Sequence, residues 1–235
     1  MQFKRLSYRF WGIAMLLLLI ASPVFSQPAI KSLLDQMKTM KAGTQICYRY
    51  NVDLYDMEHN KLVDSIRGCL YKDGKKYLDS SNAALTLLNG KYCFKIDFDN
   101  KRVSLYDMDY LKKKLHTNPA AEAGSFVFPD SDIVRNGKVR ETANSYEIEL
   151  TPRDTLFSRV MISLSKSDNR IDHIVFESEQ SEKNKIVSKK RFTIYQIQYK
   201  AESSVFDLNR FFNMGNKKPI INKKYAQYKL FTITG

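Results

Sequence analysis

A chain of 235 residues, 43% of them hydrophobic, is long enough for one domain with a proper core. Its formal charge of +13 would suggest nucleic acid in a cytosolic protein, but the N-terminus excludes that compartment. Lys4, Arg5 and Arg9 precede an apolar run from Phe10 to Ile20, which Ala21-Ser22-Pro23 breaks. Val24-Phe25-Ser26 then offers the small residues a signal peptidase needs, so residues 1–26 read as a cleaved signal peptide and Gln27 as the new N-terminus. The run is shorter than the roughly 20 apolar residues of a membrane span, and an uncleaved anchor is the alternative. The first cysteine is Cys47, which argues against a lipid-modified N-terminus.

Residues 27–235 carry 35 basic and 25 acidic side chains, a net charge of +10. Outside the cytoplasm the matching acidic partners are lipid headgroups, envelope polymers or an acidic protein; the plainer reading is a solvated basic surface. Cys47, Cys69 and Cys93 fit no zinc or redox spacing. Cys47 and Cys69 are symmetric about Glu58, so a hairpin centred there would place them opposite each other, within disulfide range. Three small buried residues is the other reading.

Pro28 to Lys41 predicts an amphipathic helix, with Ile30, Leu33, Leu34, Met37 and Met40 at helical spacing. The period then changes to two. Ile46, Tyr48, Tyr50, Val52 and Leu54 mark a long strand, and Leu62 to Lys72 a second, ended by Asp73-Gly74. Short strands follow at Lys75–Asp79 and Leu85–Leu88, then at Tyr92–Phe98 and from Val103 to Asp107. Tyr110 to Asp132 breaks the pattern: a short helical stretch, then Phe126-Val127-Phe128-Pro129 without a fixed period. A segment of this length is either a functional lid or a packed connection. Strands resume over Ser145–Thr151, Leu156–Lys166, Arg170–Glu179 and Lys185–Tyr199. Phe206, Leu208, Phe211 and Phe212 form an apolar cluster, and a lysine-rich extension from about residue 216 contains one more candidate strand, Tyr228–Thr234. No repeat or linker separates a second domain, so 27–235 reads as one α+β, mainly antiparallel β, domain.

Neither catalysis nor a metal or other cofactor is expected. His59, His116 and His173 have no partners at ligand spacing, and no nucleophile or zinc motif occurs. The apolar strand faces have few elements to cover them. A curved sheet lined by Tyr48, Tyr50, Val52, Phe94, Ile96 and Phe98 would hold a cavity for an acyl chain, and the alternative is a filled core. Leu34, Met37 and Met40 of the helix, with Phe126 and Phe128 of the irregular segment, complete the candidate lining.

The order of these pieces resembles the LolA/LolB family of periplasmic lipoprotein carriers over roughly residues 28 to 221. The resemblance rests on the helix before two long strands, Gly68 in the second, and Leu87-Leu88-Asn89-Gly90-Lys91-Tyr92 before an aromatic strand. It continues in Phe94-Lys95-Ile96-Asp97 with Val103-Ser104-Leu105-Tyr106-Asp107, in Tyr146 to Pro152, and in Phe211-Phe212 with Pro219-Ile220-Ile221. The resemblance implies a half-open β-barrel with a helical lid over a hydrophobic cavity that takes the acyl chains of lipoproteins. It implies a periplasmic monomer passing cargo from an inner-membrane donor to an outer-membrane acceptor. The strand after Gly74 departs from the family, with Tyr77 or its neighbour where an Arg usually braces the lid. The same fold serves binding or sensing modules for an envelope protein or lipid, which is the alternative function; an esterase-like enzyme is the third.

Overall fold

The computed structural model describes residues 27–42, 45–115, 134, 137–152, 157–182, 185–200, 202–214 and 219–233. Residues 1–26, expected to be a signal peptide, lie outside these residues with Phe126 and Phe128, as do the side chains of Met37 and Met40.

Helix α1 (Gln27–Ala42) leads into β1 (Gln45–Asp56) and β2 (Lys61–Asp73), followed by β3 (Lys76–Ser81), β4 (Ala84–Leu88), β5 (Tyr92–Asp97) and β6 (Arg102–Asp107). After α2 (Met108–Leu115) come β7 (Lys138–Glu141), β8 (Ser145–Leu150), β9 (Arg159–Ser165), β10 (Ile171–Glu182) and β11 (Lys185–Gln198). The C-terminal part consists of short 3-10 turns, the small hairpin β12 (Phe212–Met214) and β13 (Pro219–Ile221), and β14 (Lys229–Ile233). Twelve strands form one sheet in the order β14-β6-β5-β4-β3-β2-β1-β11-β10-β9-β8-β7. All neighbours in it pair antiparallel except β14, which joins β6 in parallel. Among the described residues β7 and β14 remain edges, so the sheet is open and forms no closed barrel.

Cross-strand partners point to the same face of a sheet, so the register assigns every strand residue a side. One rung runs Tyr48, Leu70, Asp79, Thr86, Lys95, Ser104, Phe231. The other side carries Tyr71, Leu78, Leu87, Phe94 and Leu105 as partners. The sheet therefore changes its buried side midway. Along β1, β2 and β8–β11 the first side is apolar and packs Tyr48, Tyr50, Leu70, Ile162, Ile174 and Ile194 with Ala29 and Leu33 of α1. Along β3–β6 the opposite side carries the larger buried set, where Phe94, Ile96, Val103 and Leu105 pack beneath Phe206, Phe211, Phe212 and Tyr225. A smaller cluster under α2 joins Leu88 and Cys93 to Met108 and Leu111, with Tyr77 linking it to the core beneath α1.

The β1–β2 hairpin corrects the expected cysteine pairing. Its turn takes four residues, Met57 to Asn60, because Asp56 pairs with Lys61, and Asp56 Oδ1 accepts from the amides of Glu58 and His59. The centre thus moves half a residue past Glu58. A bulge then inserts Val63 between the partners of Leu54 and Tyr55, moving the register again. Cys47 consequently faces Tyr71 while Cys69 faces Arg49, and both thiols are free. Diagonal neighbours of this kind lie about 7–8 Å apart, beyond the usual Cα separation of a disulfide.

Candidate functional site

The side of the sheet beneath α1 carries the arrangement most suited to a ligand. Pro28 occupies the first turn of α1, and buried Ala29 and Leu33 lie on its inner stripe while Lys31 and Asp35 are exposed. Ser32 Oγ donates to the Asn169 carbonyl at 3.1 Å, and Gln36 Nε2 donates to the same oxygen. Gln36 Oε1 accepts from the Ile171 amide at 3.0 Å. These bonds pin the helix to the β9–β10 turn, where Asn169 takes the left-handed conformation (φ 55°) that Asn tolerates better than most side chains. Among the described residues the cover is partial. Ile30 and Leu34, with Val52, Ile66, Phe157, Phe192 and Ile197 below, pack against the core while keeping part of their surface open.

At the border of this apolar floor stands a polar cluster. Asp79, half-buried on β3, accepts from Tyr50 Oη at 2.6 Å and from Tyr77 Oη at 3.2 Å. Tyr48 packs edge-on to Tyr50, with ring centroids 6.5 Å apart. Burial first, and then the nearby Asp79 carboxylate, push the phenols of Tyr48, Tyr50 and Tyr77 above their ordinary value of 10. All three are neutral donors at physiological pH. Among the described residues no Lys, Arg or His lies within ion-pair distance of Asp79.

Gly68 makes this cluster possible. A Cβ there would fall 2.5 Å from Tyr50 Cζ and 2.8 Å from the Ser80 carbonyl oxygen, so the Tyr50 ring crosses β2 only because position 68 is bare. On the same side beyond Asp79 the sheet turns polar, and a groove of about 470 Å³ is lined by Thr86, Lys95, Asp97, Arg102, Ser104 and Phe231, among others.

The residues expected to line one cavity are thus divided. Leu34, Tyr48, Tyr50 and Val52 meet beneath α1. Phe94 and Ile96, each 1% exposed, lie on the opposite side against Phe211 and Phe212, and Phe98 packs against that second cluster. Phe126, Phe128 and the side chains of Met37 and Met40 fall outside the described residues. Reasoning from sequence missed Asp79. The available signal was its placement two residues from Tyr77, which puts both side chains on one side of β3. Among the described residues no group of three or more His, Cys, Asp or Glu could hold a metal ion.

No family model matches the chain, and no curated protein sequence matches it either. Solved structures do resemble it. It is similar to a LolA superfamily protein from Nitrosomonas europaea at 9% identity, covering 72% of this chain and 92% of that one, with a TM-score of 0.31. A domain from Vibrio parahaemolyticus, named as an outer membrane lipoprotein-sorting protein, matches at 9% identity over 79% of this chain and 98% of its own, with a TM-score of 0.31. The MucA/MucB complex of Pseudomonas aeruginosa matches at 12% identity over 77% of this chain and 60% of that one, with a TM-score of 0.32. Scores this low carry no argument about ligand or mechanism.

Proposed function

We propose that this chain is an exported binding protein that shelters the acyl chain of a lipid or acylated lipoprotein between α1 and the apolar side of the sheet, and that it makes and breaks no bonds. The observation that carries this reading is the incomplete cover among the described residues: α1, held by Ser32 and Gln36 to the β9–β10 turn, over an apolar floor with a half-open rim. Burying an acyl chain contributes about 0.8 kcal/mol per methylene, so a long chain supplies ample driving force for lifting the helix. A carrier must also release its cargo, which limits how tightly the cover closes. The signal-like N-terminus supports a periplasmic location, and the motif order of the LolA/LolB resemblance supports lipoprotein or lipid as the cargo.

Mass spectrometry of organic extracts from the protein, purified from its native envelope, tests this reading. Stoichiometric lipid or lipoprotein is the expected result. An empty protein that instead copurifies with one envelope protein would replace the carrier with a sensing module, and turnover of ester substrates would replace it with an enzyme.

A further inference from the structure

We infer that the Asp79 cluster selects cargo whose polar end carries an ammonium group; the inference rests on the acyl-binding reading above. A carboxylate offers about four acceptor positions, and the hydroxyls of Tyr50 and Tyr77 occupy one on each oxygen. No ion pair to the remaining capacity forms among the described residues, Lys72 of β2 being its diagonal neighbour on the same side, although a half-buried charge gains most from one. Tyr50 and Tyr77 present their hydroxyl ends to the carboxylate, and Tyr48 packs edge-on to Tyr50. A carboxylate with acceptor capacity left, beside neutral phenol oxygens, suits an alkylammonium ion, which brings a positive charge and up to three N–H donors.

Position favours the same ligand. Along a single rung, Tyr48 and Leu70 belong to the apolar floor, Asp79 stands at its border, and Thr86, Lys95 and Ser104 continue as a polar surface. An amphiphile with its chain beneath α1 would bring its head to this border. Lys95 lies two strands further along, about 10 Å away at the usual strand spacing. It shares the polar groove with Arg102, so an anionic group just beyond the ammonium would find cations there. The ammonium can belong to a lipid headgroup or to an amine of an acylated peptide, and both present the same charge to Asp79.

Competition against a fluorescent acyl probe tests the selectivity, using dodecylammonium, uncharged monolaurin and dodecyl sulfate below their micellar concentrations. The net positive charge of the chain by itself favours the sulfate, so selectivity for ammonium has to come from a local site. The wild-type protein should bind dodecylammonium roughly tenfold more tightly than monolaurin. Asp79→Asn should bring that ratio to one, and Tyr77→Phe should lower it by less. Lysophosphatidylethanolamine and a lauroyl-lysine peptide, compared next, separate the two sources of the amine. Binding of monolaurin with no advantage for ammonium in the wild-type protein would overturn this inference while leaving the acyl-binding reading intact. Failure of all three amphiphiles to compete would overturn both. If Asp79→Asn does not fold, the wild-type ratio by itself decides whether ammonium is selected.

Discussion

Tyr50 reaches Asp79 across a bare Gly68, and that close approach ties a strand glycine to the chemistry of the site. A fully buried carboxylate behaves differently. Glu177, 2% exposed on the side of the sheet away from α1, meets Lys189 at 2.9 Å and Arg191 at 3.0 Å, with Arg159 at 3.8 Å. Burial alone would raise its pKa, but hydrogen bonds from Lys189 and Arg191 outweigh that and hold it below its ordinary value of 4.5. Because the folded value is the lower one, the stabilisation is present above pH 4.5 and is lost as pH falls through the folded pKa. Glu177→Gln should therefore cost about 1.5–3 kcal/mol at neutral pH, the worth of hydrogen bonds to a charged group. Denaturant melts should show the gap to wild type closing below pH 4.5, and a gap that persists in acid would mean that packing, not charge, is lost. Of these two carboxylates, Glu177 is spent on holding strands together. Asp79 has bonding capacity left.

Among the elements, several strands show an alternating apolar set, and that much could be read from the chain. Ile46, Tyr48 and Tyr50 alternate in β1, as Phe94 and Ile96 do in β5. Alternation says that a strand has a greasy side, but only the register says which side of the sheet that is, and a shift of one residue inverts it. The extra residue at Val63 and the four-residue turn before it are of this kind, and no composition signal marks them. The order of the long strands along the chain and the turn at Asp73-Gly74 are set by local pattern and were legible, while the short β7 was not. The cover over Phe94 was not, because it is formed by residues more than a hundred positions later in the chain. This division has a measurable consequence. Phe94→Ala should destabilise the fold by about 3–5 kcal/mol, the usual cost of emptying an aromatic core position. Acyl-probe affinity of the protein that remains folded should not change, since Phe94 faces away from α1. A selective loss of affinity would place the ligand on the opposite side of the sheet from α1.

Among the described residues the twelve-stranded sheet buries its larger clusters on opposite sides in its two halves, one under a helix and the other under the C-terminal segment. The C-terminal cover brings four aromatic rings onto Phe94 and its neighbours, with Phe211 and Phe212 both within 5 Å of the Phe94 ring centroid. That half is the fixed part. The helix-covered half, with its partial rim and its polar bonds to the β9–β10 turn, is where a ligand can enter at least cost. The proposed function puts the acyl chain between α1 and the sheet, and it stands or falls with that placement. A fatty acid bearing a photoactivatable diazirine on its chain, irradiated with the intact protein and mapped by peptide sequencing, reads the placement out residue by residue. Labels are expected on Ile30 or Leu34 of α1 and on Val52 or Phe192 of the floor. Labels confined to the segment between Phe206 and Tyr225 would put the chain under the C-terminal cover instead, and the placement beneath α1 would be wrong.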